Sequence, residues 1–72
     1  MFILDKRSFV RIEGLYPPAS YDFVIKEMCR APIPTILVTL NDRFFGQYDS
    51  LREAQDDIDY FALEENMIEV VF

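Results

Sequence analysis

Thirteen carboxylates and one thiol are the side chains that could perform acid–base or nucleophilic chemistry, and the chain has no histidine. General acid–base catalysis needs a carboxyl group whose pKa is shifted in a water-poor cleft. The spacing of these acids predicts turns and solvated helix faces, where ordinary ionisation is expected. Cys29 falls on the apolar side of its segment with no histidine to activate it, which predicts a structural thiol. We expect no catalytic residue and no enzyme.

Metal and cofactor sites are not indicated either. One cysteine and no histidine exclude an internal disulfide and the usual structural zinc sites. Asp56, Asp57 and Asp59 do not follow the calcium-loop spacing, and a helix would point them apart. Gly14 and Gly46 are too far apart for a phosphate-binding loop. We therefore expect no metal and no cofactor.

The charge is divided unevenly along the chain. From Asp42 onward nine acids stand against two bases, a balance of −7, so residues 1–41 carry +1 of the overall −6. Segregated charge creates a field that selects partners. This field would repel a phosphate backbone, so we expect no direct nucleic-acid binding, and it would attract a basic protein.

Length and composition indicate one small domain, residues 1–72. A 51% hydrophobic content is enough for a core, although a thin one that self-association or a partner would support. No secretory signal is visible. The longest uncharged stretch, Ala31 to Asn41, contains two prolines and is too short to span a bilayer. We expect a cytoplasmic protein that does not enter membranes.

The first part of the chain combines strand patterns with one ambiguous segment. Ser8–Leu15 alternates as a strand, and Phe2–Leu4 is either an extra strand or its extension. Ser20–Arg30 can be read two ways. As a helix it separates apolar from charged residues and lies between prolines, whereas as a strand Tyr21, Phe23 and Ile25 alternate. We favour the helix.

The next strands, Thr35–Leu40 and Phe44–Tyr48, form a predicted hairpin. Turn chemistry favours a two-residue Asn41-Asp42 loop. The apolar pattern favours a three-residue loop that pairs Leu40 with Phe44 and Ile36 with Tyr48, with the strain absorbed at Arg43 or in a nearby bulge. We follow the apolar pattern.

Ser50–Leu63 is the clearest helix, with a capping-box signature in Ser50 and Glu53. Met67–Phe72 then reads as a closing strand. The order βαββαβ predicts an α+β, ferredoxin-like two-layer sandwich, with a four-stranded antiparallel sheet and two helices on one face. If the ambiguous segment is a strand, the fold becomes a curled antiparallel sheet with one helix, residues 50–63.

Three stretches, Val10–Leu15, Phe44–Tyr48 and Ser50–Ala54, carry a resemblance. They resemble the first strand, third strand and second helix of RNA-recognition motif domains, a family that stacks bases on aromatic side chains of its central strands. Arg11 stands at the aromatic position of the first strand. We interpret the resemblance as shared topology and not as RNA binding.

Two surfaces are candidates for contact. The first is the outer face of the second helix, an acidic surface with an aromatic residue in its midst, a typical interface anchor. The second is the helix-free sheet face, where an apolar patch would serve a homodimer, a partner or the folded-over N-terminal segment. The residues are Glu53, Asp56, Asp57, Asp59 and Tyr60 on the first surface, and Phe9, Leu37, Phe45, Met67 and Val71 on the second.

These observations favour a non-enzymatic protein that occupies a protein partner's surface. Its concrete form is a phage-type stoichiometric inhibitor of a host nucleic-acid-processing complex, acting as a nucleic-acid mimic on a basic nucleic-acid-binding protein. One alternative is a dimeric regulatory module that binds a small ligand at the Gly14–Ser20 loop. Another is a structural subunit of a larger assembly.

Overall fold

A five-stranded antiparallel sheet carries a single helix in the part of the chain that the computed structural model describes, residues 2–11, 19–29 and 34–70. The strands lie side by side in the order β4-β3-β2-β1-β5. The fold class is therefore α+β. The elements are β1 (Phe2–Arg11), β2 (Ala19–Cys29), β3 (Pro34–Leu40), β4 (Arg43–Tyr48), α1 (Leu51–Glu64) and β5 (Ile68–Val70).

The core lies between α1 and one face of the sheet. Phe23 is fully buried at its centre, and its ring meets those of Phe9, Phe45 and Phe61 edge-on at centroid distances of 5.1–5.9 Å. Edge-to-face contacts of this kind add to the stabilisation from buried area. The buried residues are Phe9, Phe23, Ile25, Ile36, Val38, Ala54, Ile58 and Ala62.

The ambiguous segment is a strand, so the helix that we favoured there is wrong. Residues 19–29 form β2, which pairs with β1 on one side and with β3 on the other. Phe23 and Ile25 are fully buried because the strand alternation sends both toward α1. A helix would have put Phe23 on the charged side. The side chain of Cys29 is outside the described part of the chain.

The ferredoxin-like prediction falls with that helix, and the sheet carrying one helix is the architecture observed. The topology shared with RNA-recognition motif domains is likewise not observed in the described part of the chain, since the segment predicted as its first helix forms β2. Phe2–Leu4 extends β1 and is not a separate strand, with an irregularity in pairing between Ile3 and Asp5. Residues 12–18, including most of the proposed ligand loop, lie outside the description.

The β3–β4 hairpin satisfies both sequence signals. Asn41 and Asp42 form a two-residue turn at φ 50° and 67°, so Leu40 pairs with Arg43 and the predicted Leu40–Phe44 pair is wrong. A bulge then shifts the register between Val38 and Thr39, and Ile36 pairs with Tyr48 as predicted. The turn residues set the strand register next to the turn, and burial of apolar side chains sets the register at the other end of the hairpin.

The hairpin turn is also fastened to β2. The Asn41 side-chain oxygen accepts a hydrogen bond from the Asp22 amide at 2.8 Å, and its side-chain nitrogen donates to the Ser20 carbonyl at 3.1 Å. The Asn41 amide donates to the Asp22 carbonyl at 2.9 Å. These bonds fix β4, the edge strand beside α1, relative to the centre of the sheet.

Candidate partner-binding surface

The start of α1 fixes which residues face water. Ser50 is the N-cap, and its hydroxyl accepts a hydrogen bond from the Glu53 amide at 3.2 Å. The Glu53 carboxylate accepts one from the Asp49 amide at 3.1 Å. This is the predicted capping box with its return bond one residue earlier.

The buried stripe of α1 then orients the helix. Ala54, Ile58 and Ala62 are buried against the sheet, and Phe61 is half-buried. Leu51, which we predicted inside, is 36% exposed. The outer face therefore carries Glu53, Asp56, Asp57, Asp59 and Tyr60, all exposed, with Tyr60 at 63%.

Arg7 holds two carboxylates on the side of α1 that faces β1 and β5. Its guanidinium donates to Asp59 at 2.6 Å and to both oxygens of Glu69 at 2.9 Å. Arg7 lowers the pKa of Glu69 below its ordinary value through this hydrogen bond, and the same contact raises the pKa of Arg7. Asp59 thus neutralises a cation of the chain itself.

Arg11, on the same side, holds the end of α1. It donates to the Glu65 carbonyl at 3.1 Å and lies 3.3 Å from the Glu65 carboxylate. The last turn of α1 contains no basic residue, so Arg11 supplies from β1 the positive charge that a helix C-terminus favours. We call this side, with Arg7, Arg11, Asp59, Glu65 and Glu69, the paired flank.

An open groove of about 170 Å³ runs along the other side of α1, next to β4. Its aromatic members are Phe45, Tyr60 and Phe61. The Phe45 and Phe61 rings meet edge-on at 5.2 Å. Its carboxylates are Asp57, Glu64 and Glu65, the last of which is held by Arg11. We call this side, with Phe45, Asp57, Tyr60, Phe61 and Glu64, the open flank.

The bulge in β4 shapes the open groove. It makes Phe45 an extra residue opposite β3, so that Phe45 and Gly46 both turn toward α1. A side chain at Gly46 would overlap the Tyr48 ring, so glycine leaves room for that ring over the strand. The Tyr48 hydroxyl donates to Asp57, and burial, followed by this hydrogen bond, raises the Tyr48 pKa.

The five predicted residues are exposed on α1, but their interactions divide them into separate groups. Asp59 belongs to the paired flank, whereas Asp57 accepts a hydrogen bond from the Tyr48 phenol, which brings no positive charge. Asp56 and Glu64 have no hydrogen bond or ion pair with another side chain in the described part of the chain. Sequence reasoning missed Phe61 and Glu64 as groove residues and placed Phe45 on the opposite face of the sheet. The helical spacing of 57, 60, 61 and 64 could have grouped three of the groove residues with Asp57.

The second predicted surface is mostly misplaced. Phe9 is buried under α1 at 3% exposure, and Phe45 and Met67 pack against the same core. Leu37 does lie on the helix-free face, since its neighbours Ile36 and Val38 face the core. Val71 is outside the described residues. The error arose because residues 20–30 were predicted as a helix, in which Phe23 does not lie beside Phe9.

The helix-free face has a different apolar set. Val10, Val24 and Leu37 alternate with buried core residues, and Phe44 is 70% exposed beside the hairpin turn. Ile68 of β5 pairs with Val10 and is 58% exposed. This face therefore exposes apolar groups on the side of the sheet away from α1.

Known proteins do not supply a function for this surface. Comparisons with protein-family models, with curated proteins and with solved structures each gave no match. Across residues 2–11, 19–29 and 34–70, no three acidic, cysteine or histidine side chains are grouped to hold a metal ion. No helix within the described ranges combines the length and apolar character needed to cross a bilayer.

Proposed function

We propose that this chain is a non-enzymatic protein that captures a basic protein partner through the outer face of α1. The observation that carries the proposal is the exposure of carboxylates around Tyr60 on one helix face, while both partnered arginines of the sheet lie on the paired flank. Exposed charges of one sign raise the rate of association with an oppositely charged surface and make it sensitive to salt.

The charge density of α1 supports a nucleic-acid mimic. The helix has 14 residues, and at about 1.5 Å per residue it is about 21 Å long. Its five carboxylates give one negative charge per ~4 Å, or one per ~5 Å once Arg7 neutralises Asp59. One strand of DNA carries a phosphate per ~3.4 Å of axis. A groove built for a phosphate backbone would therefore meet a comparable row of charges.

In its concrete form, the partner is a host nucleic-acid-processing protein, and the chain is a stoichiometric inhibitor of the type that small phage genes encode. The partner's basic groove would be occupied by α1 in place of nucleic acid. Tyr60 then supplies the apolar anchor, because an exposed aromatic ring among charged residues loses its contact with water when the two surfaces meet.

Neutralising two carboxylates of α1 that have no hydrogen bond or ion pair in the described part of the chain, Asp56 and Glu64, tests the proposal. Asp56→Asn with Glu64→Gln removes one charge from the outer face and one from the open flank, and Asp42→Asn with Asp49→Asn removes two charges outside α1. We expect immobilised chain to capture basic nucleic-acid-binding proteins from extracts of its source cells, and duplex DNA to compete. The first double variant should lose most of the capture, and the control should keep it.

The proposal fails if both double variants capture the same proteins equally well, or if DNA does not compete. It also fails if the chain retains a metabolite and no protein. A salt series provides an independent measurement, because the affinity of the unmodified chain should fall more steeply with added salt than that of the Asp56/Glu64 variant.

A second candidate function is that of a subunit in a larger assembly. It is favoured by exposed apolar side chains away from α1: Phe2 at 64%, Ile3 at 56%, Phe44 and Ile68. Under this proposal the isolated chain would self-associate through the sheet. Sedimentation of the chain alone distinguishes it from the first proposal, which expects a monomer and a one-to-one complex.

A further inference from the structure

We infer that the open groove seats one arginine side chain of the basic partner. This inference rests on the proposed function and names its central contact. The groove is lined by three aromatic residues, Phe45, Tyr60 and Phe61, and by three carboxylates, Asp57, Glu64 and the Arg11-paired Glu65. A guest must therefore present an apolar stem and a positive head, which is the chemistry of a long basic side chain.

The paired flank shows what this combination of groups binds. There the Arg7 guanidinium lies 5.2 Å from the Phe9 ring centre while its nitrogens contact Asp59 and Glu69. The open flank has the same components, carboxylates beside aromatic rings, on the other side of the same helix. No lysine or arginine among the described residues forms an ion pair with Asp57 or Glu64. The open flank thus lacks the cation that the paired flank contains.

The size and the field of the groove fit this guest. Its volume of about 170 Å³ is close to that of an engineered cavity of ~150 Å³ that holds a benzene ring. The side chain of arginine, a short apolar stem with a planar head, is of similar bulk. Glu64 ends α1, where the helix dipole adds negative potential, and the last turn holds no basic residue. Both terms favour a cation at this end of the groove.

Arginine fits better than lysine. A guanidinium is planar, stacks on aromatic rings and donates to two carboxylates at once, whereas an ammonium is a compact and strongly hydrated charge. In the groove the head would lie against Tyr60 and donate to Asp57 and Glu64, which are seven residues apart, two turns of α1.

The test uses two capped peptides with equal charge, one alternating glycine and arginine and the other glycine and lysine. Amide NMR titration of the full chain measures each affinity. We expect the arginine peptide to bind about fivefold tighter, with shifts centred on Phe45, Asp57, Tyr60 and Glu64. Tyr60→Leu should abolish the preference, and Glu64→Gln should weaken the arginine peptide about fivefold. Asp42→Asn, outside the groove, should leave the preference unchanged.

The outcomes separate this inference from the proposed function. If both peptides bind equally and Asp56→Asn weakens binding as much as Glu64→Gln, the groove is not the seat and binding is diffuse. Partner capture that still depends on the Asp56 and Glu64 charges would then leave the proposed function intact. If the arginine preference is present but partner capture ignores those charges, the groove exists and the proposed partner class is wrong.

Discussion

Both flanks of α1 carry carboxylates, but only those of the paired flank form ion pairs with arginines of the described strands. On the paired flank, Asp59, Glu65 and Glu69 are held by Arg7 and Arg11 of β1. On the open flank, Asp57 accepts a bond from a phenol and Glu64 has no side-chain partner in the described part of the chain. A count of acids would treat both flanks alike. Pairing separates the carboxylates that join helix to sheet from those that have no cationic partner in the described part of the chain.

The difference follows from where the two neighbouring strands lie in the sheet. β1 is an interior strand that presents Arg7 and Arg11 on either side of Phe9, under α1. β4 is an edge strand whose bulge presents Phe45 and Gly46 instead. An arginine can hold carboxylates and pack on a ring, whereas aromatic residues and glycine leave the carboxylates of α1 in water. The paired flank therefore joins α1 to the sheet, and the open flank is the surface that we propose for contact.

Removing the floor of the open flank should have the largest effect on stability. Phe45→Ala removes a half-buried ring that meets both Phe23 and Phe61, so the free energy of unfolding should fall by about 2–3 kcal/mol. Phe44→Ala, at the adjacent and 70% exposed residue, should change it by less than ~0.5 kcal/mol. Urea denaturation of both variants measures the contrast. Equal losses would mean that the bulge does not select which ring enters the core.

Breaking the paired flank should cost less. Arg7→Gln removes three charged hydrogen bonds from a side chain that is only 16% exposed, and should lower the free energy of unfolding by about 1–2 kcal/mol. Arg52→Gln, on the exposed first turn of α1, should change it by less than ~0.5 kcal/mol. If the two substitutions had the same effect, the pairing of Asp59 and Glu69 would not distinguish the flanks.

The same variant changes the pH dependence. The pKa of Glu69 is lower in the folded state than in the unfolded state, so its contribution is present above the ordinary glutamate range and is lost as pH falls through the lowered pKa. In Arg7→Gln the Glu69 pKa should return toward its ordinary value and this part of the acid-induced loss should disappear. Carboxyl NMR titration checks the pKa directly, and an unchanged Glu69 pKa would contradict the contact.

The bond between Tyr48 and Asp57 should have an effect of about 1 kcal/mol. Gly46→Ala forces the Tyr48 ring away from Asp57, and Tyr48→Phe removes the hydroxyl, so each should lower the free energy of unfolding by ~1 kcal/mol. The double variant should lose little more than one of them, because both act on one bond. Full additivity would show that Gly46 is needed for another reason.

Alkaline titration provides a second measurement of this bond. Asp57→Asn should bring the Tyr48 pKa part of the way back toward its ordinary value, with the effect of burial remaining. The pKa of Tyr48 is higher in the folded state than in the unfolded state. Its contribution to stability is therefore present below the ordinary tyrosine range and is lost as the pH rises through the raised folded-state pKa. Phenolate absorbance follows the change.

Local signals in the sequence predicted α1 well. The capping box of Ser50 and Glu53 predicted where the helix begins, and the apolar stripe through Ile58 predicted which face is buried. The exposure of the acids and Tyr60 followed from that orientation. Leu51 is the exception. It precedes Ala54 in the predicted stripe, but its side chain is exposed in the first turn of the helix.

Features that depend on adjacent strands could not be predicted from local sequence patterns. Ser20–Arg30 has a charge pattern typical of a helix, and only the two strands beside it show why Phe23 and Ile25 must be buried in alternation. The groove depends on the bulge, and the bulge arises from competition between the Asn41-Asp42 turn and the Ile36–Tyr48 pair. Both patterns are visible in the sequence, but the bulge that accommodates them is seen only in the assembled sheet.

The smallest expected change in stability is that of Glu64→Gln, and its sign should be opposite to that of a matched substitution at Glu53. Glu64 ends α1, where a negative charge opposes the helix dipole, so Glu64→Gln should raise the free energy of unfolding by ~0.3–0.5 kcal/mol. Glu53→Gln makes the same change in the first turn and weakens the bond to the Asp49 amide, so it should lower the free energy by ~0.5–1 kcal/mol. Urea midpoints of both variants decide the signs. Stabilisation by Glu64→Gln together with weaker arginine binding would show that the open flank keeps this carboxylate for contact at the expense of the fold. Destabilisation would mean that Glu64 serves the fold, as the acids of the paired flank do.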